Sequence, residues 1–355
     1  MMQTKNILLP ILTAAALAAG TCAAAQEVVP GLPKTELQVV GGLSNLTAYR
    51  NFEKPFWTET VPKLSEGQVT ATIKGFNEMG LKGPEIMRLI SQGVVPIGTA
   101  TLAYFASDNA INEAIDLAGV SPDVKTARQV TDAFAPIYAK YYAKQNVKVL
   151  GFSTYPAQVL FCNAPIKGLA DVQGKKVRTS SRTTAEFVQA LGGTSVTLPF
   201  GEVVPALQNG VVDCAISGSM SGYSAKWYEV ATHLLALPIN WNQQIHAANM
   251  DYWNKIDPKV QSFLLKNIAA MTDAIWDDAA KATQQGYDCN SGADACTLAE
   301  KGHMTLVEPS DADRALLKKV TAEVVVPKWA QRCSAECVKD FNETIGKTLG
   351  ITASK

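Results

Sequence analysis

The chain has 355 residues, 32 basic and 32 acidic side chains, a formal net charge of zero, and 47 % hydrophobic against 18 % charged residues. No basic excess supports nucleic-acid binding and no charge tract supports adhesion to a membrane surface. A chain of this length buries a large apolar core and divides into two lobes.

The first element is MMQTKNILLPILTAAALAAGTCAAAQEVV, with one Lys, an apolar stretch from Ile7 to about Gly20, and Ala23-Ala24-Ala25 ahead of Gln26. It reads as a secretory signal peptide cleaved after Ala25 and is too short to span a membrane; no second apolar run of spanning length follows. The mature chain is therefore expected to be exported, soluble and periplasmic. Loss of Lys5 takes the basic count from 32 to 31 against 32 acids. Cys22 follows Ala19-Gly20-Thr21, a poor lipobox, so a lipid anchor is not expected.

From Thr35, TELQVVGGLSN reads as a strand ending in a polar loop. Ala48 to Leu64 carries Phe52, Phe56, Trp57 and Val61 at helical spacing. QVTATIKGF alternates as a strand, GPEIMRLISQG is a helix with Pro84 in its first turn and Gly93 as C-cap, and VVPIGTATLAYF is a strand running into a loop. The extended run KVLGFSTYPAQVLFCNAP carries the chain across to a second lobe. Residues 166–222 then give strand KKVRTSS, an amphipathic helix, strand SVTLP, a helix opened by FGEVVPALQNG, and strand VVDCAISG, which is βαβ order. The chain returns through LPINWNQQIHAANM into a long helix with Phe263, Leu264, Ile268, Met271, Ile275 and Trp276 on one side. Near the end, Ser310 is an N-cap with Asp313 three residues on. The predicted organisation is α/β: 1–25 signal peptide, 26–157 and 243–270 first lobe, 158–242 and 287–355 second lobe with C-terminal helices, and 258–286 a lobe-spanning helix.

Arg178 lies inside a predicted parallel strand, where a guanidinium needs either a protein carboxylate across the strands or a ligand. The run LADVQGKKVR, then ALGG, then LPFGEVVPALQNGVVD resembles the signature stretch of the solute-binding proteins of TRAP-type (tripartite ATP-independent periplasmic) transporters, the DctP-like family. The spacing from Arg178 to Phe200 matches that family without a gap, over about 60 residues of dense similarity. The resemblance implies a two-lobed, type II periplasmic-binding-protein-like fold. It also implies a periplasmic protein, not an enzyme, that closes by a hinge on a small organic acid and delivers it to TRAP membrane subunits. In that family the arginine at the position of Arg178 holds the ligand carboxylate, Phe200 is the aromatic before the second helix, and Ser217 stands where Asn is usual. Gln158 occupies the place of a second arginine in some members. The neutral amide points away from a dianionic ligand, and with the nearby aromatics toward a monocarboxylate with an apolar body.

Trp241 and Asn242 in the return crossover, and Ser44 and Asn45 past the first strand, are further candidate ligand contacts, because open α/β sheets bind ligands beyond the carboxyl ends of their strands. Tyr49, Trp57, Tyr104, Tyr155 and Phe161 are candidates to line an apolar pocket or to fill the core. His233, His246 and His303 form no metal or catalytic motif, Met220 replaces the nucleophile in GSMSG, and no dinucleotide or phosphate loop is present. Neither cofactor nor metal is expected. The competing readings are a ligand-binding sensor for a signalling partner and, further off, a secreted hydrolase. A monomer is expected.

Six cysteines follow the signal peptide: Cys162, Cys214, Cys289, Cys296, Cys333 and Cys337. An even count in an oxidising compartment favours disulfides over metal. The family's fold implies that the VLFCNAP and VVDCAIS strands lie side by side, bringing Cys162 opposite Cys214. Cys289 and Cys296 are expected either to bridge across to Cys333 and Cys337 or to pair within each couple.

Overall fold

The computed structural model describes residues 27–355; the signal-peptide reading of 1–25, its cleavage after Ala25, and Cys22 lie outside them. In chain order the strands are β1 (Thr35–Gly41), β2 (Val69–Gly75), β3 (Ile97–Thr101) and β4 (Val147–Ser153). They are followed by β5 (Gln158–Cys162), β6 (Lys176–Thr179), β7 (Thr194–Thr197), β8 (Cys214–Gly218), β9 (His233–Asn240), β10 (Gln244–Asn249) and β11 (Thr305–Val307). They build one sheet in the order β2-β1-β3-β10-β4 and another in the order β11-β9-β5-β8-β6-β7. β1, β2 and β3 run parallel, as do β6, β7 and β8, which is what helical crossovers between consecutive strands require. The exceptions carry the logic of the fold. β10 is antiparallel to β3 and β4, and β5 is antiparallel to β8 and β9. These are the two strands by which the chain enters each sheet from the other, so each lobe borrows a strand at a crossing.

The crossings are Thr154–Ala157 and Trp241–Gln243, and a 34-residue helix, Pro258–Ser291, supports both lobes. Asp257 caps it by accepting a hydrogen bond from the Lys259 N–H (2.8 Å), Pro258 opens it, and Gly292 at φ 76° ends it. It runs five residues beyond the end expected from its apolar face. Val260, Leu264, Ile268, Met271 and Ile275 pack on the first sheet, and Trp276 Nε1 donates to the Phe152 carbonyl (3.0 Å). Farther along, Thr283 Oγ1 accepts from the Ala157 N–H (2.9 Å), so the helix grips the first crossing directly.

The sequence-predicted helix over Ala48–Leu64 is present, with turns widened to the π form over Ala48–Glu53 and Phe56–Thr60 around Pro55, which has no N–H to donate. The helix Val124–Ala143 adds to the predicted elements; its Val130, Phe134, Tyr138 and Tyr142 are fully buried. Ser310 and Asp313 form the expected reciprocal cap, and Asp313 Oδ1 also accepts from the Leu169 N–H (2.7 Å).

One expectation is corrected, and one choice left open by the sequence is decided. The C-terminal helices do not pack on the second lobe alone. Trp329 Nε1 donates to the Ala110 carbonyl (2.7 Å) and Thr321 Oγ1 to that of Ala118 (3.0 Å), both in the segment that follows β3. The disulfides do not cross between the C-terminal couples: Cys289 bonds to Cys296 and Cys333 to Cys337, each closing a short local loop. Cys162 bonds to Cys214 across the antiparallel β5–β8 pair.

Candidate functional site

The carboxyl ends of β1, β3, β6 and β8 converge where the chain crosses between lobes. There a small cavity is lined by Leu43, Leu46 and Tyr104 from the first lobe and by Arg178, Ser180, Phe200, Ser217 and Ser221 from the second. Tyr155, Gln158 and Asn242, at the crossings, complete the wall. Its free volume is about 20 Å³, room for one water.

Arg178 is 1 % exposed. Its Nε and Nη2 donate to the Leu198 carbonyl (2.9 and 2.8 Å) and its Nη1 to that of Ile216 (3.1 Å). Two of its five N–H groups remain for something else. No carboxylate lies within ion-pair distance of it among the described residues, although the partly buried guanidiniums of Arg128 and Arg332 are both paired with carboxylates. Burial lowers its pKa, opposed by the Tyr104 phenol beside it. The backbone carbonyls hold the guanidinium plane without neutralising its charge.

Asn242 is 7 % exposed and held in the left-handed region (φ 57°). Buried Asp116 fixes it: Oδ1 accepts from the Trp241 N–H (2.8 Å), and Oδ2 from the Asn242 N–H (2.8 Å) and Asn240 Nδ2 (2.7 Å). Burial pushes the Asp116 carboxyl up to about 6, with those donors opposing the shift. Phe200 forms an apolar wall and stacks on Trp227, ring centroids 5.6 Å apart.

Of the sequence candidates, Arg178, Phe200, Gln158, Ser217 and Asn242 meet at this cavity. Trp241 does not: its indole turns away and donates to the Ser121 carbonyl (2.9 Å). Ser44 is tied to Asn77, which accepts from the Ser44 N–H (2.9 Å) and donates to its Oγ (3.0 Å), and Asn45 is exposed. Leu43 and Leu46, their apolar neighbours, face the cavity instead. Tyr104 and Tyr155 line it, whereas Tyr49, Trp57 and Phe161 are core. Ser180 and Ser221 carried no signal, since isolated serines after a strand are ordinary loop residues.

Tyr104 and Ser180 also bound an outer cleft between the lobes, with Lys82, Arg182, Gln189 and Thr197. Lys82 Nζ donates to Glu202 Oε1 across that cleft (2.9 Å).

Two lobes joined by crossing strands, a helix spanning both and a polar cavity at the junction define a solute-binding protein of the two-lobed kind. The chain belongs to the bacterial extracellular solute-binding proteins, family 7 (DctP), whose family model matches residues 46–331. Among curated proteins it is 24 % identical over 200 residues to the ectoine-binding periplasmic protein TeaA of Halomonas elongata, covering 55 % of this chain and 58 % of the relative. It is 26 % identical over 219 residues to the C4-dicarboxylate-binding periplasmic protein DctP of Rhodobacter capsulatus, covering 61 % of this chain and 65 % of the relative. Each match spans less than two thirds of the relative. Among solved structures, an extracytoplasmic solute receptor of Bordetella pertussis binding pyroglutamic acid superposes with a TM-score of 0.77 at 20 % identity, over 88 % of this chain and 99 % of that one. A TRAP periplasmic solute-binding protein of Desulfovibrio salexigens with bound orotic acid gives 0.78 at 19 % identity, over 88 % and 99 %. At those identities the likeness is one of fold. No helix among the described residues is long and apolar enough to cross a membrane.

Proposed function

We propose that this chain is the periplasmic solute-binding component of a TRAP-type transporter, which captures a small organic acid by hinge closure and delivers it to the membrane subunits. It acts as an exported monomer whose signal peptide is removed after Ala25, and it catalyses no reaction. The observation that carries the reading is Arg178: a buried cation, oriented by two backbone carbonyls, without a protein carboxylate, at the wall of the inter-lobe cavity. A ligand carboxylate supplies the missing anion, and Leu43, Leu46 and Phe200 suit an apolar body. As Arg178 is the one cation on that wall, a single negative charge is matched. Acids bound by other family members, pyroglutamic acid and orotic acid among them, support this class.

A thermal-shift screen over organic acids supplies a ligand; Arg178→Ala is then tested for affinity and for ligand-free melting. Binding is expected to weaken by about 2–5 kcal/mol. Arg178→Lys should recover only part, since an ammonium restores charge but not the planar fork. The ligand-free melting temperature of Arg178→Ala should fall as well, because the Leu198 and Ile216 carbonyls lose their donors, so the affinity comparison is read on ligand binding by folded protein below that temperature. Unchanged affinity would reject Arg178 as the anchor.

A further inference from the structure

Two spaces lie between the lobes. The small cavity of about 20 Å³ contains Arg178, and the outer cleft measures about 470 Å³. The first has room for one water, whereas the second is of the size that takes a small-molecule ligand. Two residues, Tyr104 and Ser180, line both. Ser180 is short, and its Oγ is held by Asn242 Nδ2 (3.3 Å). The part of the shared wall that is free to move is therefore the Tyr104 ring, carried on the turn Leu102–Phe105 of the first lobe. Leu102, Ala103 and Phe105 anchor that turn in the core, while Tyr104 itself stays half-buried, with the outer cleft open beside it.

The ring has a built seat. It lies on Gly83, where any Cβ would run into its Cδ2 and Cε2, and Gly83 holds φ 108°, a conformation that side chains other than hydrogen rarely adopt. At its far end the phenol reaches the Arg178 guanidinium across the lobe boundary. A phenol is a poor substitute for a carboxylate there, because it is neutral, and hydrogen bonds between ionised partners are about twice as strong. We infer that Tyr104 is the gate residue of this site: when an acid binds, the ring swings from Arg178 into the outer cleft, the two spaces become one, and the phenol yields the guanidinium to the ligand carboxylate. This rests on the carboxylate reading of Arg178 and adds to it the residue that competes with the ligand. A molecule with the ring in its seat is closed to ligand, so the apparent affinity is lowered by the fraction of molecules whose ring is out.

The test is calorimetric titration of the wild-type mature chain, Tyr104→Phe, Tyr104→Ala and Arg178→Ala with acetate, isocaproate, pyroglutamate and orotate. Tyr104→Phe keeps the ring and deletes only the oxygen that competes for Arg178. It should bind the acids that wild type binds about threefold to tenfold more tightly. Tyr104→Ala, which removes the gate altogether, should also bind them more tightly. Damage to the fold weakens binding, so a gain in both variants cannot come from it. If binding depends on Arg178 but Tyr104→Phe gains nothing, or Tyr104→Ala binds more weakly than wild type, the ring belongs to the wall of the occupied site. The inference then fails and the carboxylate reading stands. If none of the four acids binds to wild type or to either Tyr104 variant, or binding ignores Arg178→Ala, the carboxylate reading fails and the inference with it.

Discussion

Glu53 shows how strongly one residue's environment sets its chemistry. It is fully buried beside the cavity wall, with Oε2 accepting from the Gly42 N–H (3.0 Å), Oε1 without a partner, and Tyr49 and Tyr155 as ionisable neighbours. Burial pushes its carboxyl up to about 7. A carboxyl raised in the fold stabilises fully below its unfolded value near 4.5, and that contribution is lost as pH climbs through 7. His246 works in the opposite sense: between Thr99 Oγ1 (3.0 Å) and Ser153 Oγ (2.8 Å), burial lowers it to about 4. Its contribution is present above its unfolded value of 6.5 and is lost as pH falls through 4. Glu53→Gln should therefore gain stability over wild type at pH 8, by about 3 kcal/mol from a shift of this size, and gain nothing at pH 4. Melting curves that stay parallel across that range would contradict the assignment.

Among the elements, the long helix Pro258–Ser291 illustrates packing overruling propensity. Gly286 lies well inside it, where Ala would normally be favoured by up to about 1 kcal/mol. A methyl group there would, however, run into the backbone of Ser219 and Met220 at the start of the helix Ser219–Ser224. That close approach is also what lets Ser219 Oγ donate to the Thr283 carbonyl (2.9 Å) and Asn290 Nδ2 to the Ser219 carbonyl (2.9 Å). The backbone cannot yield as a flexible side chain would, so Gly286→Ala should destabilise by about 1–3 kcal/mol despite the better helix former. Chemical denaturation reads the sign directly, and a stabilised variant would show that the contact relaxes freely.

At the scale of the molecule, the lobes are tied at three places: the crossing strands, the long helix, and the C-terminal helices. Arg332, at the end of the helix Val326–Arg332, donates Nη2 to Glu113 (2.9 Å) in the segment after β3 and Nη1 to Glu186 on the helix after β6. The Glu113 side chain is 1 % exposed. Burial raises its pKa, and Arg332 opposes the rise. Arg332→Ala should lower stability by about 3 kcal/mol at neutral pH, since it leaves Glu113 buried beside Glu186 without its ion-pair partner. The penalty should shrink as pH is lowered, because a protonated Glu113 no longer needs the cation. A loss independent of pH would mean that packing, not charge, is what Arg332 supplies. The Lys82–Glu202 pair, by contrast, lies exposed at the cleft mouth, where water screens it.

The sequence alone determined what depends on local pattern. Alternation and flanking turns located β1 to β3 in one lobe and β6 to β8 in the other, Pro258 and the apolar stripe marked the long helix, and Ser310 with Asp313 announced a cap whose two hydrogen bonds are both made. The run from Lys176 through Val212, with its family resemblance, singled out Arg178 before any partner was visible. Tertiary structure decided everything that needed two distant segments at once. Whether Arg178 met a carboxylate depended on Leu198 and Ile216 reaching it first with backbone carbonyls. Trp241 and Asn242 are neighbours in sequence, yet Asp116, more than a hundred residues away, holds the backbone so that one faces Ser121 and the other the cavity. Leu43 and Leu46 displaced Ser44 and Asn45 from the wall because Asn77 captured the serine. The pairing of Cys289 with Cys296 and of Cys333 with Cys337 followed from where the long helix and the C-terminal helices end, and spacing carries no information about that.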